Sequence, residues 1–317
     1  MRLPMTAKTP KLLPVTDAGA PAGFRSGFAT LVGRPNVGKS TLLNRLVGTK
    51  VAIVSDRPQT TRNEIRAVLH TPDAQVVFLD TPGIHRPRTP LGERSNRRAT
   101  ATFDQVDVVC MLVEASAPIG KGDRFIAQML QAVSTPKILL VNKVDIADRR
   151  RVLEHLVIAG ELGTFDAYVP ISGLTGEGVE ALVSEIVSRL PEGPRYYPEG
   201  VVTDQPETFL AAEIVREKLL ALTHDELPHS ITVGVDEIEE REAADGPVLA
   251  IRAVIRVERD SQKGIVIGHH GAVLKEAGTQ ARLELEALLG ARVHLETHVK
   301  VDPHWQRRPR SLDRLGF

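Results

Sequence analysis

Eight residues, GRPNVGKS from Gly33 to Ser40, set two glycines, a lysine and a hydroxyl at the spacing that a phosphate-gripping backbone needs. Small residues let the backbone of Gly33, Arg34, Pro35, Asn36, Val37 and Gly38 close around phosphate oxygens at the positive end of the helix that must follow. In such a loop Lys39 reaches the β- and γ-phosphates, the Ser40 hydroxyl ligates Mg²⁺, and Thr41 is a further expected nucleotide contact. Two shorter motifs follow in order. DTPG (Asp80, Thr81, Pro82, Gly83) closes an apolar run, bringing a carboxylate near the metal and a glycine N–H near the γ-phosphate. NKVD (Asn142, Lys143, Val144, Asp145) closes another. An Asp145 carboxylate accepts two hydrogen bonds from the ring N–H and exocyclic amine of guanine, donors that adenine lacks in that arrangement. The bland reading of the first motif is a glycine turn capping a helix. Three motifs in this order point instead to a guanine nucleotide.

These residues need a scaffold of strands ending at one level. FATLVG reads as a short apolar strand and GKSTLLNRLVG as an amphipathic helix; EIRAVLH and VVFLD read as neighbouring strands. VDVVCMLVEA, KILLVNK and AYVPIS are buried-type strands, each followed by a polar or helical segment. Near-continuous Val/Ile/Leu runs alternating with helices predict an α/β domain with a mostly parallel sheet covered on both faces, over 25–190. The Pro- and Gly-dense PEGPRYYPEGVVTDQPE predicts a linker over 191–206. Beyond it the order becomes α-β-β-α-α-β, a small α+β domain over 207–317. The Pro- and Ala-rich residues 1–24 are expected to be a disordered extension; they lack the continuous apolar segment of a signal peptide.

Composition narrows the classes. Of 317 residues, 42% are hydrophobic and 25% charged, which fits a globular chain with a proper core. Lys plus Arg and Asp plus Glu are 40 each, so any basic surface must come from local distribution. A lone cysteine, Cys110, excludes an intramolecular disulfide and reads as an apolar filler in a strand.

With these motifs the first domain resembles the translation-factor-related GTPases. The resemblance places Thr60 or Thr61 of PQTTR at the Mg²⁺-sensing position of the first switch, with Thr61 preferred. It places Ser172 and Gly173 of ISGLTG at the base-contacting loop, a glycine standing where alanine is usual. Ile84 follows DTPG where Ras-like relatives carry a water-positioning glutamine, so slow unassisted hydrolysis is expected. Lys39, Thr61 and Gly83 are the expected catalytic groups, and Ser40, Thr61 and Asp80 the expected Mg²⁺ ligands. Asn36 matches a position that holds a potassium ion in some relatives; shaping the loop is its equal alternative.

GHHG, Gly268 to Gly271, admits three readings: a metal site, a tight turn, or a backbone clamp. Adjacent histidines are expected to point apart and no third ligand is suitably spaced, which disfavours metal. Helix, GHHG, helix, strand is the layout of a KH domain, whose G-x-x-G loop clamps single-stranded RNA. From ERDSQKGIVIGHHGAVLKEAG to the terminal RLGF, together with FLAAEIVREKLL, the chain resembles the Era-like family of bacterial ribosome-assembly GTPases. The resemblance implies a P-loop GTPase domain followed by a type II KH domain. It further implies GTP/GDP with Mg²⁺, the 3′ end of 16S rRNA and the small (30S) ribosomal subunit as partners, and a monomeric cytoplasmic protein with weak peripheral membrane association. The family's loop is usually Gly-Lys-Gly-Gly or Gly-Lys-Lys-Gly, so histidine stands here where a lysine charge is usual, which predicts weaker or pH-dependent RNA affinity. From residue 252 onward 12 basic residues face 8 acidic ones, and Lys263, Lys275, Arg307 and Arg308 join the loop as expected RNA contacts. Trp305 reads either as a base-stacking platform or as a core side chain. Two rival readings stand: an RNA-binding scaffold with nucleotide as a structural ligand, and a peripheral-membrane signalling GTPase.

Overall fold

The computed structural model describes residues 20–55, 65–80, 93, 102–223, 227–243, 246–308 and 312. Thr60, Thr61, Thr81, Pro82, Gly83 and Ile84 lie outside them, as do the terminal RLGF and most of the N-terminal extension. The end of that extension is ordered structure: Phe24 is buried and its ring lies under the Arg195 guanidinium, 4.6 Å from the centroid.

The first domain runs β1 (Arg25–Gly33), α1 (Lys39–Val47), β2 (Ile65–His70), β3 (Ala74–Asp80), β4 (Val108–Glu114), α2 (Lys121–Gln131), β5 (Lys137–Asn142), α3 (Arg149–Gly160), β6 (Ala167–Pro170) and α4 (Val179–Arg189). Its sheet order is β2-β3-β1-β4-β5-β6, parallel except for β2 against β3. Because successive side chains leave a strand on opposite faces, the apolar runs feed two cores at once. Leu31, Phe78, Leu112 and Leu140 pack on one side, while their neighbours Val32, Val77, Met111 and Leu139 pack on the other. Cys110 is wholly buried in the first core, and burial pushes its thiol up to about 12, which leaves it inert at neutral pH.

The segment expected as a linker at 191–206 is docked rather than free. Gln75, buried on β3, accepts from the backbone N–H groups of Tyr196 and Tyr197 and donates to the Tyr197 carbonyl. Further along, Val68 N–H donates to Val202 O, and the Thr203 hydroxyl donates to Arg66 O, fixing 201–203 alongside β2. Proline and glycine set the local bends, but buried polar partners on the first domain decide where the chain goes.

The second domain runs α5 (Glu207–Leu222), α6 (Leu227–Ser230), β7 (Thr232–Ala243), β8 (Gly246–Val257), α7 (Asp260–Ile267), α8 (Ala272–Leu289) and β9 (Val293–Val301). β7 is antiparallel to β8 and β9 is parallel to β8. A parallel pair needs a long crossover, and α7 with α8 supplies it. Val266, Ala277, Ala281 and Leu285 from these helices meet Ile251, Ala253 and Ile255 of β8 and Ile214, Val215 and Leu219 of α5 in one core. Trp305 belongs to the fold. It is fully buried and its indole N–H donates to Ser230 O at 3.0 Å, so it offers no platform to a base.

Candidate functional site

β1, β3 and β5 end together, and the loops that leave β1 and β5 meet the loop after β6 there. This is the carboxyl edge where open α/β sheets bind ligands. The loop after β1 carries Gly33 to Ser40. Gly38 opens α1 in a left-handed conformation, φ +97°, and a Cβ there would stand 2.3 Å from the Asn142 amide nitrogen. Only glycine satisfies both constraints. Asn36 is also left-handed, φ 67°, a conformation asparagine tolerates.

Asn142, at the end of β5, is almost wholly buried and joins two loops. Its amide donates to Val37 O at 2.7 Å, and its side-chain oxygen accepts from Gly173 N–H at 3.0 Å. The structure thus gives this residue a bracing role that its motif does not disclose. Gly173 lies tight on α1, since a Cβ would come within 3.1 Å of the Leu42 backbone. Ser172 is buried beside it, while Asp145 is exposed at the mouth of the edge.

The charges are arranged around the phosphate loop. Lys39 is buried, and its ammonium donates to the carbonyls of Gly33 (3.2 Å) and Arg34 (2.9 Å). Burial pushes this lysine down to about 8, with the Asp80 charge acting the other way. Asp80 is fully buried at the end of β3, in register with Leu31 on β1. Ser40 and Asp80 are hard oxygen donors of the kind Mg²⁺ takes, and the glycine-shaped loop beside them fits phosphates.

Two braces were not legible as such in the sequence. Arg34 is held by Asp123 at 2.7 Å, and the other oxygen of Asp123 accepts Gly120 N–H at the start of α2. The Gly-x-x-Asp spacing before an amphipathic helix signals the cap, but not the arginine. Lys143, left-handed at φ 67°, is held by Glu114 at 3.1 Å. Burial pushes the Glu114 carboxyl up, yet hydrogen bonds from Ser116 and Lys143, with the charges of Lys143 and Arg34, outweigh it and hold it below its ordinary value.

At the second site, Gly268 to Gly271 join α7 to α8. Gly268 has φ +73°, and a Cβ there would meet Val273 Cγ2 at 2.5 Å and its backbone nitrogen at 2.9 Å. Gly271, φ +80°, faces open space. The two histidines do not point apart as expected. His270 is left-handed (φ 50°, ψ 29°), which folds its ring edge-on to His269 with centroids 4.0 Å apart. Both are exposed, and among the described residues no group of three or more His, Cys, Asp or Glu stands ready for a metal. The first turn of α8 has no side-chain cap and no acidic residue; its Ala272 N–H donates to His269 O, and Lys275 is exposed on the same turn. Lys263 is half-buried on α7; Arg307 and Arg308 are exposed just past Trp305.

Comparison with known proteins agrees with this arrangement. A family model described as 50S ribosome-binding GTPase matches residues 28–143, and a KH domain model matches 226–306. GTPase Era of Mycobacterium sp. (strain KMS) is 50% identical over 297 residues, 93% of this chain and 99% of that protein. GTPase Era of Mycolicibacterium smegmatis is likewise 50% identical over the same shares. The crystal structure of an Aquifex aeolicus Era variant bound to GDP and AlF4⁻ superposes with a TM-score of 0.88 at 41% identity, covering 92% of this chain and 99% of that one. A structure of Era with MgGDPNP and nucleotides 1506–1542 of 16S ribosomal RNA gives 0.86 at 40% identity over the same shares.

Proposed function

Because the chain belongs to the Era family of GTPases, we propose that it binds the 3′ end of 16S rRNA through its KH domain and times a step of small-subunit assembly by GTP hydrolysis. The observation that carries this reading is the carboxyl edge itself. Asn142 ties the phosphate loop to the base loop there, and the N-terminus of α8, without a side-chain cap or an acidic residue, follows the GHHG turn in the other domain.

The protein hydrolyses GTP to GDP and phosphate. In the proposed mechanism the backbone from Gly33 to Gly38 cradles the phosphates, and Lys39 exchanges its carbonyl partners for β- and γ-oxygens, where its charge offsets what builds up in the transition state. Ser40 and Asp80, with Thr61, would hold Mg²⁺, which would supply positive charge against that developing on the phosphates. Gly83 donates to the γ-phosphate. Asp145 reads guanine, Ser172 and Gly173 close on the base, and Lys143, steadied by Glu114, flanks it. Ile84 cannot orient water, so unassisted turnover is slow, roughly 10⁻⁴ to 10⁻² s⁻¹ as for small GTPases. Asn36 assists by holding a potassium ion, and the same hydrolysis assay run in K⁺ and in Na⁺ tests that assignment. Among the described residues no helix is long and apolar enough to cross a membrane.

RNA phosphates lie against Gly268, His269, His270 and Gly271, with Lys263, Lys275, Arg307 and Arg308 supplying charge. Gly271→Asp is the informative variant, because its Cβ enters open space whereas one at Gly268 would strike Val273. Titrated with a 16S 3′-end oligonucleotide, Gly271→Asp should lose RNA binding and keep GTP hydrolysis. Wild-type RNA affinity in a folded Gly271→Asp protein would reduce the loop to a turn.

A further inference from the structure

Between the two domains lies a charge cluster that neither site uses. Lys50, in the segment after α1, contacts Glu217 of α5 and Glu284 of α8. Lys218 contacts the same two carboxylates, at 3.2 Å for Glu217. Glu217 is only 8% exposed, and its oxygens are divided: one accepts the Val54 backbone N–H at 2.9 Å, the other takes the two lysines. Burying a carboxylate is costly unless it is paired and hydrogen-bonded, and here Lys50 and the Val54 N–H supply part of that pairing from across the domain boundary. Among the described residues Lys50 is the one charge that the GTPase domain brings to this cluster. Withdrawing it would leave two carboxylates sharing Lys218, so the closed contact is neutral and an opened one would be net negative.

Each side of the cluster is rigidly joined to a site. Val51 and Ala52 N–H both donate to the Asn44 side chain at 2.9 Å, and Asn44 donates back to Ala52 O at 2.7 Å. Asn44 sits on α1, the helix that begins with Lys39 and Ser40. On the far side, Glu284 sits on α8, whose N-terminus follows Gly271. Glu284 lies twelve positions beyond Ala272, about 18 Å of continuous helix at 1.5 Å per residue. One helix therefore leads from the phosphate loop to the cluster, and another leads from the cluster to the GHHG loop.

We propose that Glu217, clipped to Lys50 and to the Val54 N–H, is the positioning residue that couples the nucleotide state of the first domain to the RNA affinity of the second. This inference rests on the reading of the protein as an rRNA-binding GTPase that times assembly by hydrolysis, extends it to nucleotide control of RNA affinity, and names what transmits that control. A coupling of this kind is reciprocal: whatever factor the nucleotide exerts on RNA binding, RNA exerts on nucleotide binding.

The test uses the full chain, a synthetic 16S 3′-end oligonucleotide, and GDP or GDPNP. The ratio of RNA dissociation constants in the two nucleotide states is measured for wild type, Glu217→Ala, Glu217→Gln and Lys50→Met, with thermal unfolding alongside. Wild type should show a ratio of at least about fivefold. Glu217→Ala and Lys50→Met should bring it to within about twofold of unity, and the effect of RNA on the GDPNP-to-GDP affinity ratio should fall by the same factor. Glu217→Gln should lie between, since its amide oxygen still accepts from Val54. A residue that merely stabilised the fold would shift the unfolding temperature and leave both ratios alone. Should Glu217→Ala fail to fold, Lys50→Met on the partly exposed side of the contact carries the test. A wild-type ratio that persists in Lys50→Met and in any folded Glu217 variant overturns the clip. A wild-type ratio of unity overturns the nucleotide-controlled reading itself, and the clip with it.

Discussion

Replacing Asn142 by alanine should damage the nucleotide site from within rather than by removing a contact to the ligand. Asn142 is 2% exposed, and the substitution deletes both its donation to Val37 O and its acceptance from Gly173 N–H. A buried polar group that loses its partner costs about 1–3 kcal/mol, so the pair amounts to about 2–6 kcal/mol. If the loops stay put, the loss appears as stability; at about 2–4 °C per kcal/mol for a domain of this size, the lower end lowers the unfolding temperature by about 4–8 °C. If the loops relax, it appears as ligand affinity, about thirtyfold weaker GDP binding for 2 kcal/mol. Asn142→Asp should fare no better, because it keeps the acceptor for Gly173 but turns a carboxylate oxygen toward the Val37 carbonyl. Titration with a fluorescent GDP analogue, and thermal unfolding with and without GDP, measure the two components. An alanine variant whose GDP affinity stays within about twofold, with an unfolding temperature shifted by no more than about 2 °C, would behave like an ordinary surface substitution and refute the bracing role.

Two further outcomes are expected. Asp145→Asn should weaken guanine nucleotides by about 1.5–3 kcal/mol, the worth of a hydrogen bond to a charged group, and favour xanthine nucleotides, whose carbonyl accepts from the new amide; unchanged preference in competition binding removes Asp145 from the base site. For Glu284, burial pushes the carboxyl up, but hydrogen bonds and charges from Lys218 and Lys50 prevail and hold it below its ordinary value. The stability it contributes is therefore present above about pH 4.3 and lost as pH falls through its lowered value. Glu284→Gln should flatten the acid limb of thermal stability, and superimposable limbs would dismiss the contribution.

The phosphate loop, the motif-bearing strands and the KH layout were all readable from residue order, because each depends on local spacing: a glycine pattern, an apolar run, a turn between two helices. What escaped was set by distant partners. Asn142 reads as part of a base motif, yet its partners Val37 and Gly173 lie far away along the chain. The segment 191–206 has the composition of a free linker, and nothing local reveals that Gln75 waits to bind its backbone. For Trp305 both readings were open, and the carbonyl of Ser230 decided for the core. The histidines of GHHG were expected to diverge on the assumption of ordinary backbone angles; a left-handed His270 turns one ring onto the other.

The docked segment has a consequence for how the first domain behaves alone. β2 is the outermost strand on its side of the sheet, and its outward backbone groups would otherwise invite a strand from another molecule. Val202 O takes the Val68 N–H, Ala67 bridges to Thr203, and Val201 O meets the His70 ring, so that border is covered by the protein's own chain. A fragment cut at Leu190 would keep the whole nucleotide edge and lose this cover, leaving an open border that recruits its own kind. Cut after Asp204, the same domain would retain its guard, along with the bond from Arg66 to Asp204 that pins the guard's end.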